Sequence, residues 1–83
     1  YHWDLPYELE KKGGWTNYFI NKWFNRFVTV CADAFGVTVK NWIIINEPFG
    51  FTSLGYMVGK HAPGKMGLNN FLPAIHHASL AQA

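Results

Sequence analysis

The chain has 83 residues, enough for one small domain or for part of a larger one. Hydrophobic residues make up 49%, aromatic residues 18% and charged residues only 14%, where an average soluble domain is about 25% charged, so the apolar excess calls for a covering surface. The net charge of +2 comes with scattered lysines and one arginine rather than a basic run, which argues against nucleic acid and a membrane surface as partners, and no apolar stretch reaches the roughly 20 residues of a membrane span.

Tyr1 to Trp3 reads as the end of a short strand, which Pro6 closes because it cannot donate to a ladder. Gly13-Gly14 marks a loop. From Asn17 to Phe35 the period is helical: Ile20, Phe24, Phe27, Cys31 and Ala34 recur at spacings of three and four. Thr16 or Asn17 can cap that helix, and Gly36 suits the left-handed position after it. Trp42 to Ile45 is a continuous apolar run, as in a strand buried on both faces of a parallel sheet. Phe49 to Gly67 has no clear period and reads as a long loop with room for one helical turn. Asn69 or Asn70 can cap a last helix, with Pro73 in its tolerated first turn.

A helix between two strands is a βαβ crossover, so the fold class is α/β, with parallel strands. The whole of 1–83 reads as one partial domain. The start at Tyr1 without an initiator methionine, and the stop at Ala83 inside a helix-like pattern, read as cuts. No glycine-rich first turn supports a nucleotide site.

Polar residues fall at the carboxyl ends of both strands: His2, Trp3 and Asp4 after the first, Asn46 and Glu47 after the second. In parallel α/β folds that edge carries the active site. A carboxyl such as Glu47, on a strand end among aromatics, is the kind of group that donates a proton near neutral pH. Asn46 can bond a hydroxyl, Trp3 offers a flat apolar face, and His2 offers a hydrogen-bonding ring. On spacing alone the plainer alternative is also open, with Glu47 a loop carboxylate and His2 and Trp3 core side chains.

His2-Trp3-Asp4-Leu5-Pro6, Gly13-Gly14-Trp15, Trp42 through Asn46-Glu47-Pro48, Gly55-Tyr56 and His61-Ala62-Pro63-Gly64 occur in that order, and together the chain resembles family 1 glycoside hydrolases, the β-glucosidase family. His76-His77 and the residues to Ala83 resemble the helix that follows. The resemblance implies a (β/α)8 TIM barrel, of which these residues look like the third strand through the fourth helix. It implies a retaining hydrolase of terminal β-glycosidic bonds, with Glu47 as acid/base. It further implies that Asn46 holds the sugar 2-hydroxyl and that His2 and Trp3 line the glycone subsite. Trp15 is expected to pack, and Phe49 and Phe51 are candidates for the aglycone side.

A retaining glycosidase needs a second carboxylate about 5–5.5 Å from the first. The family's Glu-Asn-Gly motif, which supplies it, is missing from this chain. Asp33 falls on a polar helix face, Glu8 and Glu10 in a polar segment. The implied partners are therefore a β-glycoside or oligosaccharide and the rest of the barrel, with no cofactor. No metal site is expected, since adjacent His76 and His77 point apart on a helix and His2 and His61 lack companions at ligand spacing. Cys31 reads as an inert core thiol that gives no sign of an oxidising compartment, and a cytoplasmic location is the default expectation. The alternatives are a 6-phospho-β-glucosidase fragment and a non-catalytic sugar-binding or structural half-barrel.

Overall fold

Packing starts from Trp15, which is 0% exposed. Its ring meets those of Tyr1 and Phe51 at centroid distances of 5.3 Å, and that of Phe24 at 5.6 Å. The computed structural model describes all of Tyr1–Ala83. The chain forms α1 (Tyr7–Glu10), a 3₁₀ turn (Gly14–Thr16), α2 (Ile20–Phe35), α3 (Pro48–Tyr56) and α4 (Leu68–Gln82). Helix α4 packs on α3, on α2 and on the 3₁₀ turn. Its fully buried face is Ala74 and Ala78, one turn apart, where small side chains let the neighbours come close.

The two expected strands are absent: the structure is helical, with no sheet. One rung of the expected pairing survives. The Tyr1 nitrogen donates to Ile44 O at 2.7 Å, and Asn46 N–H donates to Tyr1 O at 3.0 Å. A residue that bonds both neighbours of its opposite number is the parallel pattern. Trp42 and Ile43 have no neighbour to pair with, and Ile43 is 82% exposed. A strand meant to be covered on two faces cannot persist as a ladder with one partner at one rung.

The long helix forms as expected but only its first two turns are buried, at Ile20 and Phe24, while Phe27, Val30 and Phe35 face solvent. Asn17 does not cap it. Its Oδ1 accepts the Phe19 N–H at 2.8 Å, closing a turn before the helix. Gly36 is right-handed, at φ −60, because the chain continues as a turn bonded to Phe35 O. Residues 48–56, expected as part of a loop, form α3. Pro48 suits its first turn. The helix buries Phe51, Thr52, Ser53, Gly55 and Tyr56 on several sides, so it shows no apolar stripe. Helix α4 begins after Gly67, which puts Pro73 in its interior rather than its first turn; Asn70 instead donates to Met66 O at 2.8 Å.

Only 13 of 83 residues are buried. The accessible surface of 5737 Å² exceeds the roughly 5,000 Å² expected of a compact monomer of this mass. Exposed apolar side chains occur along the chain, among them Phe27, Val30 and Phe35 on α2 and Val37 and Ile43 in the segment after it. The purified 83-residue chain is therefore expected to self-associate, to bind a hydrophobic dye and to melt without cooperativity. Sedimentation and near-ultraviolet circular dichroism check this, and a monomer with a sharp melt would mean that the segment covers itself.

Candidate active site

The single parallel rung sets the site. It brings the end of the first segment, His2 and Trp3, beside Asn46 and Glu47. The Trp3 indole Nε1–H then donates to Asn46 O at 2.9 Å, a second tie across the same gap. Beyond it the chain turns sharply. Trp3 at φ 68 and Glu47 at φ 44 are the two non-glycine residues with positive φ in the chain. Such a backbone costs on the order of 1–3 kcal/mol per residue and persists where the surroundings impose it.

Glu47 is the residue that leads into α3, and its side chain makes no capping hydrogen bond. The carboxylate is exposed to solvent. A methyl group at Gly50 would meet Trp3 Cζ2 at 3.2 Å and Glu47 Oε2 at 3.4 Å, so indole edge, carboxylate and helix backbone share one small space. His2 is exposed, its ring 5.9 Å from that of Trp3. Trp3, Asn46 and Glu47 are thus neighbours in space, while His2 touches the ring of Trp3 and lines the hollow toward α2. The burial expected around Glu47 is not supplied by these 83 residues.

His61, given no role from sequence, arrives from the loop after α3 with its ring 5.5 Å from that of Trp3. A cleft of about 400 Å³ lies beside it, with Trp3, Asp4, Glu10, Tyr56 and His61 in its walls. Glu47, His2 and Asn46 stand outside that cleft; Trp3 is the wall it shares with them. A second hollow of about 300 Å³, mostly apolar, separates the first residues from α2. Phe51 is buried against Trp15 and so cannot face an aglycone, whereas Phe49 is exposed and packs edge-on to Phe71.

Glu10 is not in a solvated loop, as its sequence neighbours suggested. Its Oε2 accepts the Tyr56 hydroxyl at 2.8 Å, and its Oε1 lies 2.6 Å from Lys65 Nζ. Tyr56 Oη in turn accepts the Trp15 N–H at 3.3 Å. Burial, chiefly, pushes the Tyr56 phenol well above its ordinary value; the Trp15 bond opposes this and the Glu10 carboxylate adds to it. Burial also pushes the Tyr1 phenol up to about 12, against the indole N–H of Trp15 that it accepts at 3.2 Å. His77 is buried, with Nδ1 donating to Trp15 O at 2.8 Å. No three histidine, cysteine, aspartate or glutamate side chains come together as a metal would need.

A sequence model described as glycosyl hydrolase family 1 matches residues 1–83, the full length of the chain. The chain belongs to that family. Beta-glucosidase A of Thermotoga maritima is 43% identical over 83 residues, all of this chain and 19% of that protein. The crystal structure of a β-glucosidase from Exiguobacterium antarcticum B7 superposes with a TM-score of 0.95 at 41% identity, over 98% of this chain and 18% of that one. The T. maritima β-glucosidase bound to castanospermine gives a TM-score of 0.95 at 43% identity, again over 98% of this chain and 18% of the other. The chain therefore spans about a fifth of the length of such relatives. These β-glucosidases are TIM barrels, which accounts for a parallel rung in a chain with no sheet of its own. No helix in this member is long and apolar enough to cross a membrane.

Trp3→Phe, made in the full-length protein, keeps an aromatic face and removes the donor to Asn46 O. The lost bond amounts to about 1 kcal/mol, so Tm should fall by about a degree in a protein as long as these relatives, as a thermal melt would read. Alkali should act through Tyr1 and Tyr56. The folded state holds both phenol protons more tightly than the unfolded chain, so their contribution is complete below the ordinary value of 10.0 and is lost as pH rises above it, for Tyr1 through about 12 and for Tyr56 at higher pH still. Denaturant melts should show stability falling across that interval, and phenolate absorbance should rise together with unfolding.

Proposed function

We propose that the full-length protein is a retaining β-glycosidase of the β-glucosidase type, with Glu47 as its acid/base. The segment would be the third strand through the fourth helix of its barrel. The observation that carries this reading is the parallel rung between Tyr1 and residues 44–46, in a chain matched by the family along its whole length. It supports the reading of Glu47 as a residue at the carboxyl end of a strand position, near Trp3 and Asn46, and that end is where barrel enzymes keep their chemistry.

In the first half-reaction a carboxylate from the rest of the barrel bonds to the anomeric carbon as the bond to the glycosidic oxygen breaks and Glu47 gives that oxygen its proton. In the second, Glu47 takes a proton from the water that attacks the anomeric carbon and displaces that carboxylate. Asn46 holds the 2-hydroxyl of the sugar, while Trp3 and His2 line the ring's subsite. The substrate is a β-glycoside or oligosaccharide; the T. maritima relative is solved in complex with castanospermine and with galacto-hydroximolactam.

The second carboxylate must come from the rest of the barrel. Glu10 is committed to Tyr56 and Lys65. Glu8 lies 2.8 Å from Lys11. Asp33 is exposed on α2, and Asp4 faces the cleft that excludes Glu47. With half of the catalytic pair and one open face, the 83 residues alone should not hydrolyse a nitrophenyl β-glucoside. The full-length protein should, and Glu47→Gln should lower its kcat/KM about 10²- to 10⁴-fold. Hydrolysis by the purified 83-residue chain, lost on Glu47→Gln, would overturn the need for the rest of the barrel. Full activity in the full-length Glu47→Gln protein would overturn the role of Glu47.

A further inference from the structure

Helix α3 carries Glu47 at one end and Tyr56 at the other. Nine helical residues span about 13 Å, so whatever fixes Tyr56 also aims the opposite end. The hydrogen bonds that tie α3 to other segments all lie in its C-terminal half. Leu54 O accepts the His61 N–H at 3.1 Å, Gly55 O accepts the Lys65 N–H at 2.9 Å, and Tyr56 joins Glu10 and Trp15. The N-terminal half has no such tie, and its first turn has no side-chain cap.

The cluster at Tyr56 is tightly built. Lys65 Nζ lies 5.5 Å from the centre of the Tyr56 ring as well as 2.6 Å from Glu10. Glu10 Oε1 receives no aligned hydrogen bond, so the ammonium holds it by charge. Gly14, at φ +51, passes so close that a β-carbon there would overlap the Glu10 carboxylate and approach the Tyr56 hydroxyl at 2.8 Å. None of these groups takes part in the proton transfers described above. Glu47 meanwhile sits at φ 44 and ψ 67, a conformation that relaxes unless held from both sides. Before Glu47 it is held by the rung and the Trp3 bond; after it, only α3 can hold it.

We propose that Glu10, Tyr56 and Lys65 are positioning residues for Glu47: by clamping the far end of α3 they keep the acid/base carboxyl aimed at the glycosidic oxygen. This rests on the acid/base role of Glu47 given above. The test uses the full-length enzyme and two β-glucosides. A dinitrophenyl glucoside has a leaving group that departs without a proton. An alkyl glucoside has one that needs the proton from Glu47. Tyr56→Phe should lower kcat/KM for the alkyl glucoside about tenfold to a hundredfold, the range expected of a small misplacement of a catalytic group. The same variant should leave the dinitrophenyl glucoside within about twofold. Glu10→Gln retains an acceptor for Tyr56 but loses the charge facing Lys65, and should show the same selectivity more weakly. It carries the test if Tyr56→Phe does not fold. Equal losses on both substrates, or no loss on either in a folded variant, would overturn the proposal. Glu47→Gln is run alongside: if it lacks the leaving-group selectivity, the acid/base assignment itself fails. If it shows the selectivity and the clamp variants do not, only the clamp fails.

Discussion

Everything in the chain is hung on Trp15. Its ring is enclosed by Tyr1, Phe24 and Phe51, and each of its three polar groups has a partner in a different segment. The indole N–H reaches Tyr1, the backbone N–H reaches Tyr56, and the carbonyl receives His77. One buried residue therefore joins the first residues, α2 and α3 through its ring and α4 through its carbonyl. An indole buried with every donor and acceptor satisfied gains from apolar burial without the penalty of an orphaned polar group.

Legibility in the sequence followed how each element meets its surroundings. Helix α2 could be read because one face is apolar and the other polar. Its inner end packs as the stripe implied, and its outer half waits for a surface these residues do not include. Helix α3 could not be read. It is buried on several sides and built with glycines and hydroxyls, so neither period nor propensity marks it. The two strands expected from the apolar runs do not form: one parallel rung between Tyr1 and residues 44–46 is all of that pairing these residues make. The linker chemistry was misjudged where geometry outweighed preference: Gly36 continues a helical turn, and Pro73 lies inside α4.

The site divides along the same line. Glu47, Asn46, Trp3 and His2 stood out through strand-end position and through resemblance, and of these Trp3, Asn46 and Glu47 are neighbours in the structure. Glu10 and His61 were not visible, because their roles arise from contacts at long range in sequence, with Tyr56 and Trp3 respectively. A carboxylate between lysines reads as solvated until the fold places a tyrosine and a third lysine against it. Positive φ at both Trp3 and Glu47 was equally hidden, since neither residue type announces a left-handed backbone.

The uncovered apolar band on α2 and the segment after it has a consequence during synthesis. At about 5–20 residues per second a ribosome needs several seconds to make these residues, and none of them covers Phe27, Val30 and Ile43. Trp15 can gather its four segments as soon as α4 emerges. The nascent chain would then hold an ordered site edge above an open hydrophobic flank, a species suited to capture by a chaperone. The order in which the barrel's parts appear thus bears on its yield as directly as its final stability does.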